Sequence, residues 1–310
     1  MQIFHTMAPV TDTRGCAVAL GYFDGVHCGH RMVLGGAVRY ADENNLAPAA
    51  FTFELPGNQT LKGGRILSPT QKHVRVASLG IQQYLEPPFE AFRDLSPEDF
   101  VEKVLVECFH AKAVFCGNNF TFGARAAGNV ELLHALCEPR GIAVHIVPMA
   151  QYGAQAVSST RIRAALEEGR LDDANAMLGA PYAIDWTVTH GKGVGTSRLG
   201  TPTVNQNYPP DALQPCAGVY LTRIHLQDRW WPAATGIGKR PTVDDSANAA
   251  VTCETYVPDF SGNLYGQNPV LEFHRYLCPV RKFHNLQELS DLIRRAARES
   301  KAYFAAQTVK

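Results

Sequence analysis

The feature that most constrains this chain is a compact apolar run, Cys16–Leu20 (CAVAL), passing straight into Gly21-Tyr22-Phe23-Asp24-Gly25-Val26-His27-Cys28-Gly29-His30. A strand, a glycine-rich turn and a helix in that order aim backbone N–H groups at a phosphate. The residues that follow keep alternating. A helix is expected from Gly29 to about Asn44, a strand over Ala49–Phe53 just after Pro48, a helix from Ser96 to about Cys108, and a strand over Ala113–Cys116. A helix over Val130–Glu138, a strand over Ala143–Val147 and a helix starting near Arg161 behind Ser158-Ser159-Thr160 complete the series. Ser96-Pro97-Glu98-Asp99 carries its own mechanism: serine at the N-cap, proline where no N–H is needed, and acids at the positive end of the helix. Such β-α-β-α alternation argues for a mainly parallel sheet covered on both faces.

From Ile184 to Leu277 the pattern changes to β-like runs separated by Gly, Pro, Asn and Asp clusters, with no persuasive helix. Val219–Leu226, Val251–Tyr256 and Val270–Leu277 read as strands, and a small antiparallel barrel is the simplest way to close many short strands. Asn285-Leu286-Gln287-Glu288 is a capping box opening an amphipathic helix to about Phe304. The expected architecture is therefore α/β followed by β, with domains 1–182 and 183–310.

Lys plus Arg and Asp plus Glu both count 29, so no overall field draws the chain to nucleic acid or anionic lipid. Nucleic-acid and membrane partners are not expected, and anion binding has to come from local sites. The start, Met1-Gln2-Ile3-Phe4-His5-Thr6-Met7, has neither a basic region nor a long apolar core. The eight cysteines form no C-x-x-C pair; they read as reduced thiols packed as small hydrophobes in a cytoplasmic protein. An oligomer stays open, with nothing in the sequence indicating one.

The chemistry-bearing residues fall in both halves. His27 and His30 straddle Gly29 at a helix start, where two imidazoles can donate to a triphosphate and stabilise charge as pyrophosphate leaves, while Gly29 lets a nucleotide approach the backbone. A glycine-rich turn with two incidental histidines would look the same if H-x-G-H stood alone. In the second half, Gly191, Gly193 and Gly195 alternate, as a phosphate flap or a hairpin loop would. Thr203 and Asn205, two apart on an extended segment, offer oxygen ligands for Mg²⁺ from one side. Glu254 shares a strand face with Thr252 and Tyr256, and a carboxylate there can take a proton from an attacking hydroxyl; a solvent-facing glutamate is the plainer reading.

The segment Gly21–His30 resembles the G-x-F-D-G-V-H-x-G-H string of bacterial bifunctional riboflavin kinase/FAD synthetases, a family in the nucleotidyltransferase superfamily. Gly117-Asn118-Asn119-Phe120-Thr121-Phe122-Gly123 and Val157-Ser158-Ser159-Thr160-Arg161-Ile162-Arg163 are similar to two further segments of that family. Leu199-Gly200-Thr201-Pro202-Thr203-Val204-Asn205, Gly236-Ile237-Gly238-Lys239-Arg240-Pro241-Thr242, Cys253-Glu254-Thr255 and Asp259–Gly266 are similar to its riboflavin kinase signatures. The resemblance implies a Rossmann-like adenylyltransferase domain, then a kinase-type barrel with a terminal helix. It implies ATP contacts at Gly21, Phe23, Asp24, Gly29, Ser159, Thr160 and Arg163, with Gly191 and Gly195 on the kinase nucleotide. Asn119, Phe120, Arg240, Pro241 and Thr242 would contact flavin, Thr203 and Asn205 would hold Mg-ATP, and Glu254 would be the base for the riboflavin 5′-hydroxyl. ATP is then co-substrate, riboflavin and FMN are substrates, and FMN and FAD are product ligands.

Some positions depart from the family pattern. Thr52-Phe53-Glu54-Leu55-Pro56-Gly57 stands where members often have T-F-D-P-H-P, so a histidine is missing. Leu277-Cys278-Pro279-Val280-Arg281-Lys282-Phe283 lacks both charged partners of L-R-x-E-x-K-F, and Ala296 stands for an aspartate. A second reading therefore keeps only FMN adenylyl transfer, with a barrel that binds flavin. A third makes the chain a flavin-responsive binding protein.

Overall fold

The computed structural model describes residues 1–55, 63–190, 203–239, 251–279 and 286–308. The chain divides into two compact units, one of residues 1–62 with 72–159 and one of 63–71 with 160–310.

The first unit is built on a six-stranded, wholly parallel sheet. Its strands are β1 (Gln2–Phe4), β2 (Cys16–Leu20), β3 (Ala47–Phe51), β4 (Gln83–Leu85), β5 (Ala111–Gly117) and β6 (Ala143–Val147), in the order β1-β4-β3-β2-β5-β6. Every residue of β2 and β3 is buried, as strands covered on both faces require. α1 (Cys28–Asn44) follows β2, α2 (Pro69–Ser78) precedes β4, α3 (Pro97–Phe100) precedes β5 and α4 (Val130–Cys137) precedes β6. The core gathers Val18, Leu20, Phe51, Val104, Val114 and Leu133.

Two local readings hold in detail. The Ser96 hydroxyl accepts from the Asp99 N–H at 3.0 Å with Pro97 at the first helical position, and β6 has its expected bounds. β3 starts two residues earlier than expected: Pro48 lies inside it, its carbonyl accepting from Gln82 N–H at 2.9 Å. After α3 the helix widens over Val101–Cys108 to the five-residue spacing seen in Phe109 N–H to Val104 O, 3.2 Å. β7 (Gln151–Tyr152) and β8 (Gln155–Ala156) form a short hairpin before α5 (Ser159–Glu167), which starts two residues before the expected Arg161.

The second unit holds most of α5, then α6 (Leu171–Leu178) and a seven-stranded antiparallel sheet. Its strands are β9 (Tyr182–Ile184), β10 (Val188–Thr189), β11 (Thr203–Asn207), β12 (Gly218–Leu226), β13 (Arg229–Lys239), β14 (Val251–Tyr256) and β15 (Leu271–Pro279), in the order β10-β11-β14-β13-β12-β15-β9. The expected small barrel is a half-barrel across the described strands. One of its faces buries a chain of hydroxyls: Thr222 to Thr235 and Thr235 to Thr255, each 2.9 Å. These bonds cross three strands and satisfy polar groups that would otherwise be stranded in the interior.

α7 (Leu286–Thr308) covers β12 and β13, running beyond the expected Phe304. Ala296 is 1% exposed and packs with Ala297 on Val219 and Ala234, beside partly buried Leu277 and Cys278. An aspartate at 296 would bury a carboxylate in that contact, so the alanine fits its surroundings. All eight cysteines are free, and burial pushes the thiols of Cys16, Cys108, Cys116, Cys137 and Cys253 up, as packed rather than reactive side chains require.

Candidate active sites

The turn after β2 is held in an unusual backbone conformation. Phe23 (φ +55°), Gly25 (+84°) and Val26 (+44°) are all left-handed, and a β-branched residue there is strained. Many bonds compensate. Gly21 N–H donates to Phe51 O at 3.2 Å. The hydroxyl of Thr52 donates to Tyr22 O at 3.0 Å, Arg31 Nε to Val26 O at 3.2 Å, and Ser159 Oγ to Asp24 O at 2.9 Å. A Cβ on Gly21 would lie 2.8 Å from the Phe23 ring, so only glycine lets that ring fold back beneath the turn.

The product of this strain is the placement of two imidazoles. His27 is the N-cap of α1, its Nδ1 accepting from the His30 backbone N–H at 3.3 Å. An accepting Nδ1 leaves the ring proton on Nε2. The His30 ring stacks on His27 with centroids 3.6 Å apart and planes 16° apart, and its Nδ1 is buried without a hydrogen-bond partner. A Cβ on Gly29 would sit 3.2 Å from His27 Cε1, which explains the glycine between the histidines. Burial pushes His27 down to about 4; burial first, then the neighbouring His27 and Lys72 charges, push His30 well down too. Both rings are therefore neutral near pH 7. They sit at a helix N-terminus, where backbone N–H groups attract an anion.

The lowered His27 makes the fold acid-sensitive. Below the ordinary histidine value of 6.5, the unfolded chain takes up a proton on His27 that the folded site refuses until about pH 4. Stability is full above 6.5 and falls as pH drops through this window, with a slope of up to about 1.4 kcal/mol per pH unit. Denaturant melts at pH 7, 5.5 and 4.5 should show His27→Asn, which keeps a capping acceptor, losing less on acidification than the unaltered protein. Equal losses would remove His27 as the responsible group.

The sheet order locates this turn. β2 leads through α1 to β3 on one side, whereas β5 and β6 lie on the other, so the carboxyl ends of β2 and β5 flank the point where strand order reverses. Ligands of open parallel sheets bind in that crevice. Asn119 and Phe120 follow directly on β5: Phe120 stacks on the buried Phe122 at 5.9 Å, and Asn119 Oδ1 lies 3.1 Å from where a Gly117 Cβ would be. Arg163, 6% exposed in α5 of the second unit, donates from Nε to Gly64 O at 2.8 Å.

Sequence reasoning missed a charged cluster in the first unit. Glu86, 1% exposed, pairs with Lys72 and with His73 Nε2 at 2.6 Å, and the Lys72 ammonium lies 5.6 Å from the Tyr22 ring. His5, Glu54 and Glu86 converge within 4.8 Å in a way that could hold a cation, but the Lys72 ammonium already pairs with the Glu86 carboxylate, which His73 also contacts. Lys72-His73 next to a buried Glu86 has no spacing signature that a linear pattern reveals.

In the second unit, register assembles the other candidate set. On β11 and β14, Asn205 lies directly opposite Glu254 and Thr203 opposite Tyr256, and on β13 Gly236 lies opposite Glu254. Paired residues share a face of the sheet, so Thr203, Asn205, Thr252 and Glu254 stand together. Thr252 Oγ1 donates to Glu254 Oε1 at 3.3 Å, and Asn205 Nδ2 reaches Thr203 O at 3.0 Å and Thr203 Oγ1 at 3.4 Å. A Cβ on Gly236 would meet nothing within 4 Å, so there is open space beside the half-buried carboxylate. Hydroxyl, amide and carboxylate oxygens on one face suit a hard divalent cation once the Asn205 amide turns its oxygen outward. Gly191, Gly195, Arg240, Pro241, Thr242 and Val280 lie outside the described residues.

Comparison with known proteins fits this two-part arrangement. The family model for FAD synthetase matches residues 10–161, and that for riboflavin kinase matches residues 178–304. A bifunctional riboflavin kinase/FMN adenylyltransferase from Listeria monocytogenes is 31% identical over 294 residues, covering 93% of this chain and 92% of the relative. The chain belongs to the bifunctional riboflavin kinase/FMN adenylyltransferase family. The Haemophilus influenzae member is 31% identical over 297 residues, covering 94% of this chain and 95% of its own. A crystal structure of a Streptococcus pneumoniae protein named for macrolide efflux has the same fold, with a TM-score of 0.83 at 25% identity over 97% of this chain and 98% of that one. Among the described residues no helix is long and apolar enough to cross a membrane.

Proposed function

We propose that this member of the family makes FAD in two steps. The half-barrel transfers the γ-phosphoryl of ATP to the riboflavin 5′-hydroxyl, giving FMN and ADP. The α/β unit joins the FMN phosphate to the α-phosphorus of a second ATP, giving FAD and pyrophosphate. The observation that carries the reading is that each unit gathers its own reactive set: His27 stacked on His30 at the start of α1, and Asn205 facing Glu254 across β11 and β14.

In the first step Glu254 takes the hydroxyl proton as the oxygen attacks, and Thr252 orients its carboxylate. Thr203 and Asn205 would hold Mg²⁺, which when bound neutralises charge on the transferring phosphoryl group. In the second step His27 and His30 donate to the triphosphate, and the N-terminus of α1 adds its backbone dipole as pyrophosphate departs. Gly21, Phe23, Asp24, Gly29, Ser159, Thr160 and Arg163 line the ATP side in this reading, with Asn119 and Phe120 toward flavin. The reading keeps the chain in the cytoplasm, the compartment that supplies ATP, and needs no macromolecular partner.

A time course with riboflavin, ATP and Mg²⁺ tests both sites at once. FMN is expected to appear first and FAD after it. FAD formed from added FMN, with no FMN formed from riboflavin, would reduce the half-barrel to a flavin-binding domain.

A further inference from the structure

The second unit contains a short stretch from the first half of the sequence, residues 63–71, and its first residues are built around Arg163. Gly64 O accepts from Arg163 Nε at 2.8 Å, across 99 residues of sequence. Gly63, at φ +85°, runs alongside the same side chain, where a Cβ would lie 3.5 Å from Arg163 Cδ.

This stretch is clamped in place. Arg65 N–H donates to Asp211 O at 2.7 Å and Leu213 N–H donates back to Arg65 O at 2.9 Å. The Arg65 guanidinium also pairs with the carboxylate of Asp211, itself 8% exposed. The approach is so close that a Cβ on Gly64 would lie 2.6 Å from Leu213 N and Cα. Backbone cannot yield there as a side-chain tip can, so any side chain at 64 moves the Gly64 carbonyl.

We propose that Gly63–Arg65, clamped on Asp211–Leu213, is a positioning element for Arg163 in adenylyl transfer. A guanidinium is a rigid planar fork, and engaging Nε fixes the plane in which its other N–H groups meet a phosphate. Gly64 contributes by absence: without a Cβ, its carbonyl reaches Arg163 while its backbone lies against Leu213. The proposal rests on the reading of Arg163 as a ligand of the ATP phosphates.

The test is a double-mutant cycle on the full chain: Gly64→Ala, Arg163→Ala and the double variant. It measures kcat and KM for ATP in FMN adenylylation, with riboflavin phosphorylation and a thermal melt as fold controls. Arg163→Ala should lower kcat/KM for ATP about 10²–10³-fold. Gly64→Ala should lower it about ten-fold, and the double variant should be no worse than Arg163→Ala alone, since coupled groups do not add. Additive losses, or a Gly64→Ala enzyme with the full rate, would overturn the positioning role while leaving Arg163 as a ligand. An unaffected Arg163→Ala enzyme would instead overturn the parent reading. If Gly64→Ala fails to fold, Asp211→Asn, which loosens the clamp without adding atoms, takes its place in the same cycle with the same outcomes.

Discussion

Replacing His30 with alanine is expected to cut FAD formation from supplied FMN and ATP by about 10²–10³-fold or more, while riboflavin phosphorylation continues. The structure separates the side chain's role from the fold. His30 caps nothing with its ring: its backbone N–H binds His27 Nδ1, and alanine keeps that N–H. What is lost is the ring stacked on His27 and set edge-on to Phe23 at 5.4 Å. The turn keeps its ties to Phe51, Thr52 and Ser159, so helix and crevice persist. Product analysis by chromatography, with FMN supplied directly, isolates the adenylyl step. Full FAD formation by the variant would remove the imidazole pair from the mechanism.

Glu254→Gln is expected to slow FMN production from riboflavin by about 10²–10⁴-fold, the range of a general base, and to leave adenylylation of supplied FMN intact. Glutamine preserves shape and still offers an oxygen to the Thr252 hydroxyl, which now bonds Glu254 Oε1. It cannot take up the hydroxyl proton. Asn205 on one neighbouring strand and the open space over Gly236 on the other stay as they are, so a fall in kcat with little change in KM for ATP is the expected signature. An unchanged phosphorylation rate would show that the proton leaves by another route.

What the sequence discloses here is what is local. Cys16–Leu20, Ala143–Val147 and Val251–Tyr256 appear as strands with the bounds their composition predicts, and the Ser96 cap forms because its partner is three residues away. The two histidines were legible as a pair, since a helix start fixes their separation. Their mode of contact was not, because His27 turns its ring back over the first turn to serve as the cap. Long-range partners were hidden: the hydroxyl chain Thr222-Thr235-Thr255 depends on strand register, and Glu86 meets Lys72 and His73 only once the sheet has formed. Ala296, read as a lost aspartate, makes sense only against Val219 and Ala234.

The membership of residues 63–71 in the second unit bears on how the gene for such a chain can be divided. A single break near residue 182 would give two polypeptides of sensible length, yet the downstream one would lack Ile66 and Leu67, both buried, and the Arg65 partner of Asp211. It would also lack α5 and α6, which belong almost wholly to that unit. One unit is thus written in two separated passages of text, and the ribosome must finish the first unit's sheet before the second passage emerges to complete the clamp. A break at that point therefore leaves the second unit without one of its two passages.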